Sequence, residues 1–218
     1  MRAAHAFVLL LLGQTMQVHG ATRTVDFSSD AVGQPPTGFE FFHTKKIGSP
    51  GKWIVETDGS GKYVSQTEAD FTRARFPVAV LTGVTAADVD LSVRFKPVGG
   101  RVDRAAGLVW RFRDEDNYYI VRANALENNV VLYKVEGGNR TDLPVKGEGR
   151  TYGKKAPVPT GQWSTLRVVT AGSLFEVHLN GVKLFEVEDK TFTQAGKVGI
   201  WTKADSVTSF DDLTVITP

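Results

Sequence analysis

Along residues 105–135 apolar and polar positions alternate with a period of two, in runs separated by turn residues. Leu108, Trp110 and Phe112 alternate with Val109, Arg111 and Arg113; Asp114-Glu115-Asp116-Asn117 supplies turn chemistry, and alternation resumes from Tyr118 to Asn124. Successive side chains of a strand point to opposite faces, so the pattern predicts three antiparallel strands. Setting Arg113 opposite Tyr118 gathers Leu108, Trp110, Phe112, Tyr119, Val121 and Ala123 on one face, a predicted core face. Val109, Arg111, Arg113, Tyr118, Ile120, Arg122 and Asn124 share the other. Within that second set Arg111, Arg113, Tyr118, Arg122 and Asn124 form a candidate ligand-binding surface. A flat ring can pack on a sugar, and Arg forks two hydrogen bonds to a carboxylate or to neighbouring hydroxyls. The competing reading is a solvated face whose Arg stems cover its apolar neighbours.

Short runs of the same kind recur at 24–27, 53–56, 63–66, 78–81, 89–95, 164–170, 174–179, 182–187, 198–202 and 208–216. Gly, Pro, Asn and Asp separate them, and no helix of ordinary length is predicted beyond the N-terminal segment; residues 85–88 make one turn at most. Many short strands with such turns predict an all-β fold of two antiparallel sheets. Asn180-Gly181 is the strongest turn signal, because both positions of a type I′ turn need positive φ; it sets Leu179 against Val182 and Val177 against Leu184. Residues 30–51 read as loop around an aromatic patch at 39–42, and 142–161 as a second long loop, either functional or a mobile excursion.

Residues 1–20 carry Arg2, the apolar run 6–12 and Val18-His19-Gly20, the pattern of a signal peptide cleaved near Gly20. The apolar run is shorter than the roughly 20 residues a bilayer span needs. Residues 21–218 then form a single domain of a length that suits a sandwich, exported to the periplasm or secreted. The chain has no cysteine, which excludes disulfides, thiolate metal sites and a cysteine nucleophile, so the core alone must hold the fold. The formal net charge is +2, with Lys and Arg spread along the chain, which argues against nucleic acid as a partner.

The C-terminal motifs Gly196-Lys197-Val198-Gly199-Ile200-Trp201-Thr202 and Phe210-Asp211-Asp212-Leu213-Thr214-Val215 resemble the last strands of concanavalin A-like jelly rolls of the laminin-G-like and 3-keto-disaccharide hydrolase type. So do Gly161-Gln162-Trp163-Ser164-Thr165-Leu166-Arg167-Val168, the hairpin at 179–182 and Gly107-Leu108-Val109-Trp110-Arg111-Phe112 leading into Asn117-Tyr118-Tyr119. The resemblance spans most of the chain from about Val25. It implies a two-sheet antiparallel jelly roll with a concave carbohydrate-binding face. Lectins, glycosidases and adhesion modules share that sandwich, so fold alone does not choose among them. Two departures are visible. Where retaining glucanases carry Glu-x-Asp-x-x-Glu, this chain reads Asp88-Val89-Asp90-Leu91-Ser92-Val93, without the final carboxylate. Where the hydrolysing branch carries Gly-Asn-Ser-Gly, it reads Gly99-Gly100-Arg101 and then Arg104-Ala105-Ala106-Gly107.

The resemblance also implies calcium, for which Asp26, Asp211 and Asp212 are the candidate oxygen ligands. Adjacent Asp residues on a strand point to opposite faces, which opposes joint coordination. His178 alternates with Glu176 and faces Lys183 across the hairpin, so an acid/base pair can be drawn; a polar strand face in solvent is the alternative. His43 has no evident partner, and Asn139-Arg140-Thr141 is a glycosylation sequon that matters only in a eukaryotic secretory route. The leading expectation is an exported, non-catalytic protein that binds a poly- or oligosaccharide. The alternatives are a glycoside hydrolase or lyase-like enzyme on a keto-sugar or acidic glycan, using Asp88, Asp90, Glu176 or His178, and a protein-interaction or adhesion module.

Overall fold

The computed structural model describes residues 20–59 and 61–218; the predicted signal peptide, apart from Gly20, lies outside them. Two antiparallel eight-stranded sheets form a sandwich. In the first, β14 (Val182–Glu188), β13 (Leu174–Leu179), β12 (Ser164–Ala171), β6 (Asp90–Gly99), β16 (Val207–Thr217), β4 (Lys62–Gln66) and β3 (Trp53–Thr57) lie side by side, and β1 (Ala21–Val25) pairs with part of β16. In the second the order is β10 (Asn139–Asp142), β9 (Asn129–Glu136), β8 (Asn117–Asn124), β7 (Ala105–Asp114), β15 (Gly196–Trp201), β5 (Pro77–Ala86) and β2 (Phe39–His43), with β11 (Lys154–Lys155) on β9. The described residues contain no α-helix, only a 3-10 turn at Thr44–Lys46. The aromatic patch at 39–42 is strand β2, and residues 85–86 end β5 instead of making a helical turn.

The inner faces of both sheets meet in one core, in which Leu91, Val93, Phe95, Leu166, Val168, Phe175 and Val177 of the first sheet pack against Leu81, Leu108, Trp110, Tyr119, Val121 and Leu132 of the second. The second sheet carries another apolar cluster on its outer face: Val78, Val80, Val109, Phe112, Tyr118, Ile120, Val131, Tyr133, Val135 and Trp201, with Phe76 beside them. That face is therefore packed, not solvated. Strands 77–81 and 130–133 are buried at every position, as expected for a sheet covered on both sides.

The β7–β8 hairpin differs from the predicted register. Trp110 pairs with Tyr119 and Asp114 with Asn117, so Arg111, Phe112 and Arg113 stand opposite Tyr118 alone. The extra length is taken up by a bulge at Arg111, whose φ is 47°. This exchanges faces: Phe112 joins the outer cluster, whereas Arg111 turns to Phe175 and Arg113 to Phe192, both core rings. Trp110 is buried between the sheets as expected, but Arg111 and Arg122 are buried too, not exposed. The Arg111 Nε donates to the Ala87 carbonyl (2.8 Å), Nη1 to Phe192 (2.6 Å) and Nη2 to Gly172 (2.5 Å) and to Asp88 Oδ1 (3.1 Å). These bonds hold a left-handed conformation that a non-glycine residue adopts only at a cost. Replacing Arg111 with Ala is accordingly expected to cost about 1–3 kcal/mol through orphaned carbonyls, with Arg113→Ala within about 0.5 kcal/mol; urea titration of both measures the contrast.

A second bulge sits in the Asn180-Gly181 hairpin. Leu179 faces Val182 as expected, but Val177 faces Phe185 in place of Leu184, which lets Phe185 and Val187 both reach the core. The long loop 142–161 is anchored: Leu143, Val145, Ala156 and Val158 are core residues, and Lys146 N–H donates to the Glu186 carbonyl at 2.8 Å, tying the loop to the first sheet.

Candidate functional site

Tyr118, Arg122 and Asn124 do share the outer face of β8, and they lead to a cluster the sequence did not reveal. Asn124 pairs with Asn129 across the turn 125–128, so both amides project from the outer face at the same end of the sheet. Glu127, in the turn between them, closes a network. Arg122 Nη2 donates to Glu127 Oε2 (2.8 Å) and Asn129 Oδ1 (3.0 Å); Asn129 Nδ2 donates to Glu127 Oε2 (2.9 Å); Asn124 Nδ2 donates to Asp103 Oδ1 (2.5 Å) and Glu127 Oε1 (3.2 Å). Lys203 adds an ion pair to Asp103. Two cations and two carboxylates thus balance one another, with Arg122 and Asp103 buried and Glu127 part-exposed.

Asp205 shapes the loop that delivers Asp103. Its carboxylate accepts the backbone N–H groups of Arg101 (2.5 Å), Val102 (3.1 Å) and Asp103 (2.9 Å). Burial opposes its ionisation, yet these three donors hold the carboxyl below its ordinary value. Burial likewise works against Glu127, and the Arg122 charge outweighs it, leaving that carboxyl lowered. Glu127 is an ionised hydrogen-bond acceptor.

Aromatic rings wall the network. The Arg122 guanidinium lies 5.6 Å from the Tyr133 ring centre and 5.7 Å from that of Tyr152, whose hydroxyls are joined at 2.9 Å. Tyr152 reaches this position because Gly153 lies against β9, where an added Cβ would sit 2.0 Å from the Val130 carbonyl oxygen and φ is 68°. Trp201 lies over Gly107, a position where a Cβ would meet both Ile120 and the indole. Tyr118 is fully buried, its hydroxyl 2.7 Å from Thr44 Oγ1, and burial pushes its pKa up to about 12. It supports the floor of the face.

Beside the network opens a cleft of about 430 Å³ lined by Thr44, Lys45, Arg73, Phe76, Arg140 and Lys203 among others. Arg140 is stacked among three rings, 4.8 Å from Phe76, 4.4 Å from Tyr133 and 5.8 Å from Trp201. Among the described residues Arg122 Nε and Arg140 Nη1 are buried without a hydrogen-bond partner.

The remaining candidates lie elsewhere. Asp90 makes a double 2.6 Å contact with Arg167, and Asp88 accepts from Arg111 and from the Gly172 N–H. Glu176 lies 3.5 Å from His178 and 3.1 Å from Lys183 on β13 of the first sheet. Asp90, Glu176 and His178 surround Arg167 on the outer face of the first sheet, and none of the four groups belongs to the Arg122 network. His43 ends β2. Of the calcium candidates, Asp211 and Asp212 lie 3.2 Å and 3.1 Å from Arg94 Nη1, and Asp26 accepts from Ser28 in its own turn. No cluster of three metal-ligating side chains occurs among the described residues.

A family model for the 3-keto-alpha-glucoside-1,2-lyase-like domain matches residues 49–216. No curated protein matches the chain. Among solved structures, the carbohydrate-binding module CBM66 from Bacillus subtilis is 19% identical with a TM-score of 0.61, over 83% of this chain and 96% of that one. Domain 4 of AbnA, an extracellular GH43 arabinanase from Geobacillus stearothermophilus determined with arabinotriose, is 18% identical with a TM-score of 0.54, over 88% and 87%. A Bacillus subtilis protein of unknown function with a galectin-like fold is 10% identical, TM-score 0.53, over 82% and 89%. At these identities the likeness is one of fold.

Proposed function

The chain belongs to the 3-keto-alpha-glucoside-1,2-lyase-like domain family, and from that premise we propose that it binds an oligosaccharide on the outer face of its second sheet. Glu127, Lys203 and Tyr152 are the part-exposed groups of the site, and Arg122, Asn124, Asn129, Asp103 and Tyr133 lie buried beneath them and hold them in place. The observation that carries this reading is the buried, unpartnered Nε of Arg122 within a network whose other groups are paired. An orphaned buried donor is costly, and a ligand hydroxyl or an ordered water relieves it. The mix of planar amides, a carboxylate and a guanidinium suits sugar hydroxyls, which both donate and accept. The sandwich likeness to CBM66 and to the arabinanase domain seen with arabinotriose supports a glycan as ligand.

The sequence pattern of residues 1–20 supports export, with cleavage near Gly20 leaving β1 at the new terminus. Among the described residues no helix is long and apolar enough to cross a membrane.

A glycan array followed by titration calorimetry tests the binding reading. Glu127→Gln removes the charge that orients Arg122 and both amides while conserving shape, and is expected to weaken binding at least tenfold. A protein that binds no glycan, or a Glu127→Gln variant with unaltered affinity, contradicts it. The family description favours a second reading, elimination from a keto-glycoside: a base removes the C2 proton next to the carbonyl, the C1–O bond breaks and C1=C2 forms. Glu127 is the carboxylate that would serve. Release of the leaving alcohol from a 3-keto-α-glucoside, lost in Glu127→Gln, would establish that reaction; no release removes the second reading and leaves the first intact.

A further inference from the structure

We propose that the cleft at Arg140 is a subsite for the carboxylate of an acidic sugar residue, so that the glycan bound at the Arg122 network is uronate-bearing; this rests on the binding reading above. Lys45, Arg73, Arg140 and Lys203 line the cleft, and no Asp or Glu is among its lining residues. Lys203 is committed to Asp103, and Lys45 donates to Asn139 Oδ1 at 2.7 Å. Arg140 and Arg73 have no carboxylate partner among the described residues. With Lys203 paired to Asp103, the unpaired charges of Arg73 and Arg140 at one opening raise the local positive potential and attract an anion.

Arg140 sets the chemistry of that anion. The rings of Phe76, Tyr133 and Trp201 surround its guanidinium, and Nη1 is buried and unpartnered. A planar guanidinium matches the two oxygens of a planar carboxylate. The stacking rings fix the side chain in advance, which lowers the ordering cost of binding. Continuity with the network is direct: Tyr133 is flanked by both Arg122 and Arg140, and Lys203 belongs to both cleft and network. One oligosaccharide can therefore present hydroxyls to the Glu127 edge of the network and a carboxylate to Arg140.

Matched pairs of probes test this: oligogalacturonates against their carboxyl-reduced forms, and xylo-oligosaccharides with and without a glucuronic acid branch, titrated calorimetrically at 50 and 500 mM salt. The native protein is expected to bind an acidic member at least tenfold tighter than its neutral partner, with the preference shrinking at high salt. Arg140→Met keeps an unbranched stem against the rings, and should erase the preference while leaving neutral binding and thermal stability close to native. Equal affinity for both members of each pair, or a preference that survives Arg140→Met, overturns the carboxylate subsite while the glycan reading stands. Absence of binding to any probe or arrayed glycan, charged or neutral, overturns both.

Discussion

Replacing Arg122 with Ala is expected to destabilise the protein by about 3–5 kcal/mol, one of the two largest effects among single substitutions in this fold. Arg122 is completely buried, and its removal takes the ion partner from Glu127, whose side chain is 38% exposed, and leaves the buried Asp103 with Lys203 alone. Asn129 loses the guanidinium that donates to its Oδ1, and Tyr133 and Tyr152 lose the guanidinium between them. Breaking one side of a buried ion pair costs more than replacing the whole pair, so Arg122→Ala combined with Glu127→Gln should be less harmful than the sum of the two. Denaturant titration of the two single variants and the double variant measures this coupling. Strict additivity would mean that Arg122 and Glu127 do not act as one unit.

Trp110→Ala is expected to cost a similar amount, about 3–5 kcal/mol, for a different reason. Trp110 is fully buried in the inter-sheet core, stacked on Tyr119 at 5.5 Å between ring centres and edge-on to Phe175 at 5.4 Å. Truncation leaves a cavity between two sheets that cannot close on it. Trp110→Phe should recover most of the loss, because it refills part of the volume and removes an indole N–H that has no partner among the described residues. A urea midpoint for Trp110→Ala close to that of the native protein would mean the hairpin faces the other way.

The alternation along 105–124 is enough to place Trp110 in the core, because side-chain direction in a strand follows from sequence parity, and the recurring short runs along the chain give the two antiparallel sheets. Parity fails where a bulge intervenes. Arg111 adopts a left-handed conformation without being glycine, Asn or Asp, so nothing local announces the bulge; its cause is tertiary, in the carbonyls of Ala87, Phe192 and Gly172. Arg111 and Arg113 consequently read as part of the ligand face when they lie against core rings instead.

The outer cluster is legible in a different signal. Residues 77–81 and 130–133 are apolar at successive positions, a mark of burial on both faces, whereas the arginines of the hairpin face argue for solvent. Arg122, Asn124 and Asn129 stand at alternate outward positions of β8 and β9, with Glu127 in the turn between, and hairpin arithmetic on that short segment could have gathered them. Asp103 and Lys203 could not be found this way. They come from separate loops brought together by the closure of β7 and β15, a long-range event no local pattern encodes.

The most direct test of the account is amide and indole chemical-shift mapping by NMR during titration with the tightest-binding glycan. The account predicts that shifts concentrate on Asn124, Glu127, Asn129, Arg140 and the Trp201 indole, at one end of the second sheet's outer face. Shifts concentrated instead on the first sheet, around Tyr63, Trp163, Glu176 and His178, with the Arg122 network silent, would contradict it.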